Sequence, residues 1–128
     1  MSDMNEKSTQ QPAMLVVLRH APHGTSWLRE GLDVALVGAA FGQAVTLLFL
    51  GDGVEALVKG QQAGPLGQKG THPMLDMLAM YDIDDVRVDA ESLSRRGLTV
   101  DDLQLPVTPV ASSALPALFA EHAPVFNF

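Results

Sequence analysis

Two short, uncharged runs constrain this chain more than anything else in it. They are Met14-Leu15-Val16-Val17-Leu18 and Ala44-Val45-Thr46-Leu47-Leu48-Phe49-Leu50. A strand with one wet face alternates apolar and polar residues, whereas a strand covered on both faces reads as a continuous run. Between the two runs, Ser26 to Gly42 has helical spacing, with Leu28, Leu32, Ala35, Leu36 and Ala39 on one stripe. Strand, helix and strand in that order join parallel strands, and a parallel sheet needs helices on both faces.

The alternation continues along the chain. Asp52 reads as a helix N-cap, with Glu55 three residues on completing a capping-box-like pair for a short helix to about Val58. Gly60 to Thr71 is rich in Gly and Gln and reads as a mobile loop. A helix is expected from His72, with Pro73 suited to its first turn, to Tyr81. Val86–Val88 reads as a strand, and Asp89 as the cap of a short helix through Arg96 that Gly97 ends. Leu105–Pro109 is expected to be extended. Ser112 or Ser113 is expected to cap a last helix that turns Leu115, Leu118 and Phe119 inward, and Val125–Phe128 to be a final strand. The expected fold is a three-layer α/β/α domain with a mainly parallel sheet of about five strands. Residues 1–13 read as a flexible N-terminal extension and residues 14–128 as a single domain, with no internal repeat.

Composition narrows the function classes. A 128-residue chain that is 47% hydrophobic supports one folded core. No apolar run approaches the roughly 20 residues that cross a bilayer. The first 13 residues lack the apolar segment of a signal peptide, so a cytoplasmic location is expected. The net charge is −7, and no Lys or Arg occurs from Gly97 to Phe128. Tracking phosphates needs clustered cations, so direct nucleic-acid binding is not expected. The pair Arg95-Arg96 reads as solvated charge at a helix C-terminus. There is no cysteine. That excludes disulfides, thiolate metal sites, cysteine nucleophiles and any persulfide carried on this chain.

Several residues invite a chemical reading. Leu18-Arg19-His20 resembles the strand-end Arg-His-Gly motif of histidine phosphatases, but Ala21 stands where the glycine belongs and no later Arg/His pair completes a phosphate pocket. Gly24-Thr25-Ser26 at a helix start has no phosphate-loop spacing, and helix capping accounts for it. Asp52 follows a strand, where α/β folds hold ligands, and could share a cation with Asp33. Asp82, Asp84 and Asp85 lack calcium-loop spacing and read as a solvated turn. His72 and His122 show no ligand spacing, and Ser112-Ser113 near His122 is proximity without a triad or an oxyanion elbow. The enzyme reading therefore rests on a strand-end region of His20, His23 and Asp52 handling a phosphate or nucleotide.

Two helices carry more apolar surface than one buried face needs. Val34, Val37, Ala40 and Phe41 lie off the first helix's inner stripe, and Met74, Met77 and Met80 accompany Leu75 and Leu78. Both are expected to meet other subunits or to drive self-association when the chain is alone.

Taken in order, Pro22-His23-Gly24-Thr25, Arg29-Glu30-Gly31-Leu32-Asp33, Phe49-Leu50-Gly51-Asp52-Gly53-Val54, Gly60-Gln61, Leu78-Ala79-Met80-Tyr81-Asp82-Ile83 and Ser92-Leu93-Ser94-Arg95-Arg96-Gly97-Leu98 resemble the DsrE/DsrF/DsrH superfamily, in its DsrF-like, TusC branch. The resemblance spans about Met14 to Phe128. It implies a Rossmann- or flavodoxin-like fold and a cytoplasmic heterohexamer with TusB/DsrH-like and TusD/DsrE-like subunits. It implies a sulfur relay, towards 2-thiouridine at the tRNA wobble position in one lineage and sulfur oxidation in the other. The relay cysteine belongs to the TusD/DsrE-like partner. Some relatives of this branch carry a cysteine in the strand-end segment that here reads Val88-Asp89-Ala90; this chain has Asp89 there. No catalytic, cofactor-binding or metal-binding residue is therefore assigned. The resemblance implies a structural subunit that is not an enzyme, against the two alternatives of the strand-end enzyme and a self-associating binding protein.

Overall fold

The computed structural model describes residues 12–59 and 72–128. The expected Gly60–Thr71 loop lies outside the described residues, as does the N-terminal extension up to residue 11. Five strands form one sheet: β1 (Met14–Leu18), β2 (Val45–Phe49), β3 (Asp85–Asp89), β4 (Thr108–Val110) and β5 (Val125–Asn127). Their order across the sheet is β4-β3-β2-β1-β5, and every pairing is parallel. Met14 stands opposite Val45 and Leu18 opposite Phe49, while Val16 also faces Phe126 on the other side. All residues of β1 and β2 are buried, as their unbroken runs require.

The strand order explains the layers. From β1 to β4 the chain steps in one direction, and right-handed crossovers keep the connections on one face. That face carries α1 (Trp27–Ala40), a 3₁₀ segment (Gly51–Leu57), α2 (His72–Met77) and α3 (Ala90–Arg95). The last connection reverses across the whole sheet, so α4 (Leu115–Ala120) lies on the opposite face. The core divides accordingly. Val16, Leu18, Leu47, Phe49 and Val88 meet Leu28, Leu32, Leu36, Val54, Leu57, Leu75 and Leu93 on the first face. On the second, Leu15, Val17 and Leu48 meet Leu118, with Leu115 and Phe119 packed beside them. Each buried Leu or Phe contributes about 1.5–3 kcal/mol, so the first face carries most of the stability. Among the described residues the layers are unequal: a thick helical layer on one side, a single short α-helix on the other.

Local details differ from several expectations. Ser26 occupies the N-cap position of α1 but makes no capping bond. Its hydroxyl instead donates to Glu30 at 2.5 Å, one turn on. Asp52 is not a cap either: the Gly51–Leu57 segment is a 3₁₀ helix whose N-cap position is Leu50, with no side-chain bond. The expected helix from His72 to Tyr81 breaks after Met77, resumes as a 3₁₀ turn at Ala79–Tyr81, and stops at Asp82, whose φ is 61°. Ser112 and Ser113 lie in a 3₁₀ turn (Ser112–Ala114) ahead of α4, whose N-cap position is Ala114. The expected extended segment Leu105–Pro109 is displaced to β4. Asp89 does cap α3, accepting from the Ser92 N–H. The outer side of α1 is uncovered in the single chain: Phe41 is 83% exposed, and Met80 beside the following helical segment is 79% exposed.

One glycine fixes how the 3₁₀ segment meets the sheet. A Cβ on Gly53 would lie 1.9 Å from the Leu18 carbonyl oxygen. Only hydrogen fits there, so the segment rests directly on the end of β1.

Candidate functional site

Parallel sheets bind ligands outside the carboxyl ends of neighbouring strands whose connections leave over opposite faces. Here those strands are β3 and β4. The connection after β3 runs over the thick layer, and the one after β4 runs over α4's face. Asp89 ends β3, and Ser112 follows β4 by two residues. The topology therefore places Asp89 at the one position where this fold habitually keeps chemistry.

The Asp89 carboxylate is buried and fully engaged. One oxygen accepts from the Ser92 N–H at 3.1 Å and from the Ser92 hydroxyl at 2.6 Å. The other accepts from the Ser112 hydroxyl at 2.9 Å. The Ser92 hydroxyl in turn accepts from the Gly51 N–H at 2.9 Å. A serine hydroxyl has a single proton, and Ser92 commits it to Asp89. The arrangement is an acceptor with both oxygens held by donors. It joins the turns after β2, β3 and β4, and it offers no poised nucleophile.

Beside it lies an open depression of ≈ 560 Å³ lined by Ala21, Pro22, His23, Glu55, Val58, Arg96 and Leu98. Arg96, read from the sequence as solvated, is instead bound: its guanidinium lies 2.5 Å from Asp52 and 3.4 Å from Glu55, and donates to the Ser92 carbonyl at 3.1 Å. This explains the Asp52 and Glu55 pair better than capping does. It also occupies the cation that a phosphate would need. Arg95 pairs with Glu91 one turn back on the surface.

The histidines of the opening turn part company. His23 lines the depression, while His20 stacks on Trp27 with ring centroids 5.7 Å apart. Asp33 is exposed on α1. Among the described residues no group of three or more His, Cys, Asp or Glu is placed to hold a metal ion. Asp85 leaves the supposed solvated turn to bond Arg87 at 2.5 Å, and that bond, ahead of the cost of burial, raises the already high proton affinity of the guanidinium. Ser112 bonds Asp89 and not His122. His122 sits on the second face of the sheet, bonded to Leu118 and Thr46. Sequence reading passed over Thr46, although a hydroxyl inside an apolar run is a signal that something polar lies across from it.

The profile of the DsrE/DsrF-like family matches residues 13–128. A Vibrio vulnificus protein named TusC homolog is 38% identical over 112 residues, covering 88% of this chain and 95% of its own length. Protein TusC of Escherichia coli is 35% identical over 116 residues, covering 88% and 95%. The intracellular sulfur oxidation protein DsrF of Allochromatium vinosum is 47% identical over 85 residues, 66% of this chain and 62% of that one. In fold, the crystal structure of the E. coli ychN protein superposes with a TM-score of 0.75 at 22% identity, over 93% of this chain and all of that one. The order of motifs read from the sequence, the all-parallel sheet and these likenesses agree: the chain belongs to the DsrE/DsrF-like family, among relatives named TusC and DsrF.

Proposed function

We propose that this chain is a non-catalytic structural subunit of a sulfur-relay complex of the TusBCD/DsrEFH type. It holds and positions a cysteine-bearing TusD/DsrE-like partner, beside a TusB/DsrH-like one, for persulfide transfer towards tRNA wobble 2-thiouridine. The observation that carries this reading is the switch point itself. A relay station there needs a thiolate, and this chain has no cysteine and fills the position with a carboxylate hydrogen-bonded through both oxygens. The names of its relatives support a sulfur role, and the exposed Phe41 and Met80 supply apolar surface for sister subunits. Its acidic charge leaves tRNA contact to another component. The complex is assigned to the cytoplasm; no described helix is long and apolar enough to cross a membrane.

Co-expression with TusB- and TusD-like partners tests the reading. A stable mixed complex that transfers sulfur is expected, with transfer nearly unchanged when His20 and His23 are replaced by Ala. A chain that stays apart from both partners sinks the structural-subunit reading. Loss of transfer in the His20→Ala/His23→Ala variant with assembly intact restores the strand-end enzyme.

A further inference from the structure

The depression beside Asp89 has walls of two kinds. Ala21, Pro22, Val58 and Leu98 are apolar and half-buried. Glu55 and Arg96 are its charged lining, and Arg96 ties in Asp52 at the edge. Two carboxylates and one guanidinium leave that cluster with an excess negative charge, on a chain whose total is −7.

The cluster has room for another cation. The Arg96 side chain spends its donors on Asp52, Glu55 and the Ser92 carbonyl. Asp52 meets Arg96 through one oxygen and stays 63% exposed. A carboxylate has about four lone-pair sites, so Asp52 can accept from a second cation without releasing Arg96.

Three kinds of occupant fit unequally. An anion meets a guanidinium already committed to two carboxylates. A purely apolar group suits the walls but covers those carboxylates without giving them a partner, which is unfavourable. A lysine or arginine side chain satisfies both kinds of wall: its methylene stem lies along apolar surface while its charged head stays at the polar edge. At ≈ 560 Å³ the depression takes that side chain together with the residues that carry it.

We propose that this depression is the docking site for a Lys- or Arg-bearing surface segment of a sister subunit, its stem on Ala21, Pro22, Val58 and Leu98 and its head on Asp52. Such docking rests on the structural-subunit reading and deepens it, since it sets a basic segment of the partner beside Asp89 at the switch point. The acidic charge of the chain draws that segment in, and salt weakens the contact.

The test titrates the full chain with three short capped peptides that differ at one residue, arginine, norleucine or glutamate, and follows amide NMR resonances. The arginine peptide should shift the amides of Ala21, His23, Val58 and Leu98, and the shifts should fade as salt is raised. Asp52→Lys should weaken its binding about tenfold, because an attraction at a partly exposed site becomes a repulsion. An arginine peptide that moves none of these amides overturns the proposal. So does a norleucine or glutamate peptide that binds as well, and this comparison on the wild-type chain stands apart from any folding defect of the variant. Co-expression with TusB- and TusD-like partners separates the two claims. Assembly of the mixed complex should also weaken about tenfold in Asp52→Lys. A mixed complex indifferent to Asp52→Lys overturns the docking site and leaves the structural-subunit reading standing. A chain that binds the arginine peptide in the depression yet stays apart from both partners sinks that reading, and the sister-subunit occupant with it.

Discussion

Replacing Asp89 by Ala separates a carboxylate that ties three turns together from one that merely happens to be buried. Three donors converge on it, and they are not equal. Losing the bond from the Ser92 N–H removes the α3 cap, worth about 1 kcal/mol. The Ser92 hydroxyl is buried and loses its acceptor, at a cost of about 1–2 kcal/mol. Ser112 is exposed, so its hydroxyl turns to water at little cost. The expected loss is about 2–3 kcal/mol, below the sum of three charged hydrogen bonds because burial of the carboxylate is itself unfavourable. For a domain of this size that lowers the thermal midpoint by about 7–11 °C. Asp89→Asn keeps one acceptor oxygen but sets its amide against the donors, so it should fall between wild type and Asp89→Ala. Ser112→Ala should cost under about 0.5 kcal/mol. Circular dichroism during heating and urea titration measure all three. An Asp89→Ala variant within about 0.5 kcal/mol of wild type refutes the reasoning, because it means that the three turns hold one another without the carboxylate.

Two further outcomes are expected. Gly53→Ala forces a methyl to 1.9 Å from the Leu18 carbonyl oxygen, a backbone atom that no rotamer change can move; it should cost more than about 3 kcal/mol or abolish the folded state in the same unfolding assays. Phe41→Ser with Met80→Ser removes apolar groups that are 83% and 79% exposed, so monomer stability should change by less than about 0.5 kcal/mol. Light scattering should then show weaker association. Unchanged association means that this face is not where subunits meet.

The parts of the fold that were legible are those written in contiguous residues. β1 and β2 announced themselves because burial on both faces leaves no charged position, and Asp89 ahead of a short run that Gly97 ends showed a cap. β4 was misplaced because it is a three-residue edge strand containing Pro109, while Leu105 packs against the core and Leu103, also in the core, pairs antiparallel with Val58 outside the sheet. The site was harder. Asp52 has the spacing of a cap to Glu55, but its real partner, Arg96, comes 44 positions later. Thr46 and His122 are 76 positions apart. Local spacing carries no information about such pairs; only the strand order brings them together. The switch point is the extreme case, since it exists only once β4's connection is known to cross the other face.

The strand order also sets a sequence of events in time. β1 to β4 can assemble in the order in which they leave the ribosome, each beside the one before. β5 cannot. Its Val125 pairs with Leu15 and its Phe126 with Val16, at the far end of the chain. Until those last residues arrive, β1 presents an apolar strand with one free row of backbone donors and acceptors, among them the Leu15 N–H that Pro124 finally accepts and the Arg19 N–H that Phe128 accepts. Non-local pairing of this kind is slow, and an open apolar edge recruits other nascent chains. A three-residue strand thus does more during synthesis than its size implies: it ends the interval in which the newborn chain is sticky.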